Sequence, residues 1–188
     1  MGNRRFSRKR LYEVEKLGQA IDLESGGGMK AAIKSATQHR QGNELITEIA
    51  VDLDALIGGN ADNAAMADAA AGAAHITRLT VAKFGHITEI RAVVVERPVG
   101  GGITSNEVNV ATSASALGQG TGTATARITS LDTVGVDTSF TRDDSSTLQT
   151  ASSEHYLYIT NGGAGDSSAM TAGKILIYLH GFAVPADI

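Results

Sequence analysis

From Leu45 onward the chain is written in short runs whose apolar residues recur at every second position and which end in clusters of Gly, Ser, Asp or Asn. Leu45, Thr47, Ile49, Val51 and Leu53 alternate with Glu48 and Asp52, a period of two that sets one face on a core and the other in water. The same texture predicts strands over Ile76–Phe84, Ile87–Arg97, Glu107–Thr112, Thr123–Leu131, Val136–Thr141, His155–Thr160 and Lys174–Val184, with a turn at Asn161-Gly162. Ile76–Phe84 and Ile87–Arg97 read as a hairpin joined at Gly85-His86, and Pro98 with Gly100-Gly101-Gly102 reads as the stop after the second strand. Residues 54–74 break the texture: Gly58-Gly59, Asn60, Asp62, Asn63 and a run of Ala predict a loop carrying one short helical turn. About eight strands with no helix of 10–15 residues between them exclude a parallel α/β sheet. The expected fold is mainly β, an antiparallel β-sandwich or jelly roll over residues 41–188.

The side chains available for such a core are small. Of 188 residues 22 are Gly and only 4% aromatic, with no Trp, and the large Ala, Ser and Thr content implies small side chains and many turns instead of a bulky core. The absence of Cys excludes disulfide staples, a thiol nucleophile and thiolate metal sites. The longest aliphatic stretches, Ala92–Val95 and Ile175–Leu179, fall far short of the roughly 20 apolar residues of a membrane helix, and no membrane partner is expected.

Charge divides the chain. Residues 1–40 hold nine basic and four acidic side chains, a net of +5, whereas the remainder holds seven against sixteen, a net of −9. This asymmetry predicts a basic N-terminal arm on an acidic body. Leu11, Val14, Leu17 and Ile21 recur at helical spacing, so Arg10–Leu23 reads either as an amphipathic helix or as an extended strap laid in a partner's groove, broken by Gly26-Gly27-Gly28. The run Arg4-Arg5-Phe6-Ser7-Arg8-Lys9-Arg10 has two uses. As a nucleic-acid tail its cations would neutralise phosphates while Phe6 stacks on a base. As a docking arm, Arg4, Arg5, Arg8, Lys9 and Arg10 would meet an acidic strip on a protein while Leu11, Tyr12 and Val14 bury against it. The second use accounts for more of the sequence, because phosphates have no need of spaced aliphatic residues.

Signatures of catalysis are weak. Gly173-Lys174 lacks the earlier glycine and the following Ser/Thr of a phosphate loop, and Gly118, Gly120 and Gly122 lack dinucleotide-binding spacing. The five His residues have no ligand spacing. Asp52 with Asp54, or Asp143 with Asp144, are carboxylate pairs without the spacing of a calcium loop. Neither an enzyme nor a cofactor or metal is expected.

The opening Arg4-Arg5-Phe6-Ser7-Arg8-Lys9-Arg10-Leu11-Tyr12-Glu13-Val14-Glu15-Lys16 resembles the start of small structural proteins of tailed bacteriophages. Ile87-Thr88-Glu89-Ile90 through Val95-Glu96-Arg97-Pro98-Val99-Gly100-Gly101 is similar to a hairpin of that family. The blocks Glu154-His155-Tyr156-Leu157-Tyr158-Ile159-Thr160-Asn161-Gly162 and Thr171-Ala172-Gly173-Lys174-Ile175-Leu176-Ile177-Tyr178-Leu179-His180-Gly181 are similar to its closing strands. Asn60–Ala74 and Thr104–Gly122 depart from it. The resemblance implies a head cement or decoration protein: a virion component on the capsid surface, usually a homotrimer, that clamps the lattice of the major capsid protein. A tail or head-fibre component would share the sandwich, and a nucleic-acid-binding protein would use the arm alone.

Overall fold

The computed structural model describes residues 18–61, 63–68, 72–100, 108–122, 127–131, 139–141, 149–150, 153–161 and 168–183. In chain order the strands are β1 (Gln19–Ala20), β2 (Ile33–Gln41), β3 (Glu44–Asp52), β4 (Thr77–Leu79), β5 (His86–Gly100), β6 (Val108–Ser113), β7 (Arg127–Leu131), β8 (Ser139–Thr141), β9 (Gln149–Thr150), β10 (Ser153–Asn161) and β11 (Met170–Phe182). One helical turn, α1 (Val81–Phe84), separates β4 from β5. The strands form two antiparallel sheets. Six are ordered β1-β2-β3-β11-β5-β8, and the other sheet runs β4-β10-β6-β7, with β9 paired to β10. The antiparallel sandwich read from the sequence is thus the fold observed.

The period of two explains the packing. On β3, Thr47, Ile49 and Val51 are buried; on β11, Ile175, Ile177 and Leu179; on β5, Ile90, Ala92 and Val94. These meet Leu79, Val108, Val110, Leu157 and Ile159 of the second sheet in one continuous core. The second sheet is covered on its other face as well, since every residue of β6 and Leu157–Asn161 of β10 are buried.

Tyr158 shows how that second cover is fastened. Its hydroxyl donates to the Ser115 carbonyl and accepts from the Leu117 N–H, both at 2.8 Å, pinning the segment after β6 onto the sheet. Burial pushes its phenol up to about 12, because the neutral form is the one the fold accommodates. The stability it contributes is complete below the ordinary tyrosine value of about 10 and is lost as pH climbs towards 12. Tyr158→Phe leaves the Ser115 and Leu117 groups unmet, so a loss of about 1–3 kcal/mol in urea unfolding is expected. The variant is also expected to have a shallower decline above pH ~10 than the parent chain.

Three expectations are corrected. Ile76–Phe84 and Ile87–Arg97 are not a hairpin: β4 pairs with β10 in one sheet and β5 with β11 in the other. Thr80 caps a helical turn, accepting the Lys83 N–H at 3.2 Å, and Gly85 at φ 66 ends it, so the chain crosses between sheets instead of folding back. Pro98 does not end its strand, because it falls where the β5–β11 register slips between Ala172 and Lys174 and no regular ladder bond is interrupted. The Ala-rich segment contains no helical turn among its described residues. Ala64, Ala65, Met66 and Ala67 are fully buried, and the backbone there runs beside β10 through Asn161 N–H to Ala64 O at 3.1 Å and Met66 N–H to Ile159 O at 2.9 Å.

Candidate functional site

The docking residues proposed from the sequence, Arg4, Arg5, Arg8, Lys9, Arg10, Leu11, Tyr12 and Val14, lie outside the described residues, as does Asp143-Asp144. The sequence reading extended the arm to residue 40, but β1 pairs with β2 and β2 with β3, and Leu23, Met29 and Ala32 are buried in the core. Charge alone drew that boundary, whereas pairing and burial put the chain from Gln19 to Arg40 in the sandwich. The segment before Gly18 keeps six basic and two acidic side chains, a net of +4, and the rest of the −4 chain carries −8.

Residues 18–32 form a strap across one side of the sandwich. At its start Gln19 and Ala20 lie opposite Gln38 and Thr37, and the Ile21 N–H donates to the Ala36 carbonyl at 3.1 Å, fastening the strap to the six-stranded sheet. It then reaches the second sheet. The Thr77 hydroxyl donates to the Leu23 carbonyl at 2.8 Å, His75 Nε2 lies 3.2 Å from the Glu24 carbonyl, and Lys83 Nζ pairs with Glu24 Oε1 at 2.8 Å. Glu24 itself holds φ 52, in the left-handed region, with its N–H donating to Asp22 Oδ1 at 3.0 Å. Further on, the Gly26 and Gly28 N–H groups donate to the His75 and Ala73 carbonyls at 2.9 and 3.2 Å. The strap is thereby bonded to both sheets, and Arg10–Leu23 is not helical where it is described, since Gln19–Ala20 is strand β1 and Ile21–Leu23 is irregular.

A furrow lies beside this junction. Gln19, Ala20, Ile21, His39, Arg40 and Leu45 line it, and an adjoining depression shares Gln38, Arg40 and Leu45 and continues to Val81 and Ala183. Gln38 braces the floor, its Nε2 donating to Thr47 Oγ1 and to the Lys83 carbonyl at 2.9 Å each.

The outward face of the six-stranded sheet carries charges of both signs. The cross-strand register sets Glu48, Tyr178 and Arg91 in one row, Ala50, Leu176 and Val93 in the next, and Asp52, Lys174 and Glu96 beyond. Lys174 pairs with Glu96, whose hydrogen bond and charge hold the ammonium pKa up. Burial, then Glu48, push the Tyr178 phenol up against the lowering effect of Arg91. Among the described residues, Val95, Val99 and Phe182 are the large apolar side chains left exposed, at 44%, 47% and 51%.

Of the carboxylate pair Asp52 and Asp54, the first is engaged locally. Asp52 accepts the Asp54 N–H at 3.2 Å and lies 3.6 Å from Lys34 Nζ, so it closes the turn after β3. Among the described residues no group of three His, Asp or Glu side chains is placed to hold a metal ion. Gly118 and Gly122 bridge to Ala73 and Ala64, and Gly173 sits at the β5–β11 bulge, so these glycines serve packing. The strap's anchors Glu24, His75, Thr77 and Lys83 carry no sequence signal, because their spacing of up to 59 residues becomes proximity only through sheet pairing.

Comparison with protein-family models, with curated proteins and with solved structures finds no match for this chain.

Proposed function

We propose that the chain is a virion structural protein, a cement or decoration protein that binds the outer surface of the major capsid protein lattice through its basic arm and stabilises the head. The observation that supports this most is the charge asymmetry of the chain: residues 1–17 carry a net +4 and the remainder a net −8. The strap that opens the described residues is hydrogen-bonded to both sheets, a firm base for a docking segment. Arg4, Arg5, Arg8, Lys9 and Arg10 supply long-range attraction to an acidic shell, and Leu11, Tyr12 and Val14 supply apolar burial that salt does not screen. Repetition of subunits, in the form of a homotrimer, turns weak single contacts into avidity.

Light scattering on the full chain, followed by sedimentation with expanded empty capsids of the parent phage at low and at high salt, tests this reading. A trimer that sediments with capsids and stays bound in high salt is the expected result. A monomer that ignores capsids and binds duplex DNA until salt is raised would replace it with the nucleic-acid reading.

A further inference from the structure

We propose that residues 18–32 are a clasp across the two sheets, held shut by neutral His75 and opened when that ring is protonated. His75 stands between the strap and the second sheet. Its Nε2 lies 3.2 Å from the Glu24 carbonyl, while its ring meets Tyr156 edge-on at 5.0 Å and lies 6.4 Å from Tyr158. A neutral ring protonated on Nε2 satisfies the Glu24 carbonyl. Nδ1 is buried and has no hydrogen-bond partner among the described residues, so a proton added there meets no acceptor.

Among the described residues, no carboxylate is placed on the ring to hold the cation. From the strap, Glu24's carboxylate is taken by Lys83 of α1, and Asp22 accepts the Glu24 N–H. From β4, the Arg78 guanidinium sits over the Tyr156 ring, 5.9 Å from its centroid. From β10, the neighbours are the rings of Tyr156 and Tyr158. Burial accordingly pulls the His75 ring below the ordinary histidine range, against the raising effect of the Glu24 carbonyl. The sign follows: the stability supplied by neutral His75 is present above the unfolded value of about 6.5 and is lost as pH falls below it.

The strap is the element that gives way. Glu24 is held at a positive φ that a non-glycine residue adopts unfavourably, and the contacts that hold it there converge on His75, Thr77 and Lys83. Releasing them lets Glu24 relax, whereas β3 and β11 keep their ladder bonds. The inference goes beyond the capsid reading and holds whatever the arm binds.

Hydrogen exchange followed by mass spectrometry on the full chain at about pH 7.5 and about pH 5, corrected for intrinsic rates, reads the clasp directly. Peptides covering Ile21, Gly26 and Gly28 are expected to lose protection several-fold in acid while β3 and β11 hold theirs. In His75→Gln, which keeps an amide donor and does not titrate, that acid response is expected to vanish. Strap exchange that tracks the core strands at both pH values, or a Gln variant that opens in acid as the parent does, would overturn the proposal. Should His75→Gln fail to fold, Thr77→Val supplies the test: without the bond to the Leu23 carbonyl the clasp is expected to open at higher pH, and an unchanged opening pH would overturn the proposal.

Discussion

Gly26→Ala is expected to destabilise the protein by about 3 kcal/mol, near the upper end of overpacking costs, and to lower Tm by roughly 6–12 °C for a chain of this size. A Cβ on Gly26 would sit 1.9 Å from the Ala73 carbonyl oxygen and 2.4 Å from its carbon. Both are backbone atoms, so no rotamer change relieves the overlap. The Gly26 N–H to His75 O bond at 2.9 Å and the Gly28 N–H to Ala73 O bond at 3.2 Å require this close approach, and separating the segments would weaken both. Gly118→Ala is the matched control: its Cβ would meet only the Gly72 carbonyl, at an ordinary 3.8 Å. A change of less than about 1 kcal/mol is expected there. Equal stability of the two variants in urea unfolding would contradict the packing account.

That glycine run also shows what a one-dimensional reading misses. Gly26-Gly27-Gly28 reads as a breaker between arm and body, yet Gly26 and Gly28 are where the strap lies closest to residues 67–75. Composition cannot separate a flexible glycine from one that admits a neighbouring backbone, because the partner lies more than 40 residues away. Strand β2 escaped notice for a related reason. Lys34, Ser35, Thr37, Gln38, His39 and Arg40 show no apolar alternation, since the strand next to the sheet edge is only partly covered and none of its residues is fully buried. Where a strand is covered on one face and open on the other, the pattern is plain: β3 was legible nearly to the residue, and β11 within a few. The supposed hairpin failed because β-rich composition over Ile76–Phe84 outweighed the Thr80 cap and Gly85 stop, which signal a helical turn only once the change of sheet is known. The strap anchors were not legible at all.

The arm was read from charge and apolar spacing, and its docking residues lie outside the described residues. Deleting residues 2–17 takes away five clustered cations together with Leu11, Tyr12 and Val14, while Gly18 onward retains the strap's bonds to both sheets. The folded body is therefore expected to keep its Tm within a few degrees. Its affinity for capsids is expected to fall at least about a hundredfold, the equivalent of roughly 3 kcal/mol.

Occupancy of expanded empty capsids by this truncated chain, measured by co-sedimentation beside the full chain over a range of concentrations, tests the account most directly. Loss of occupancy by a body that unfolds at the parent temperature is the result predicted. Full occupancy without residues 2–17 would contradict it.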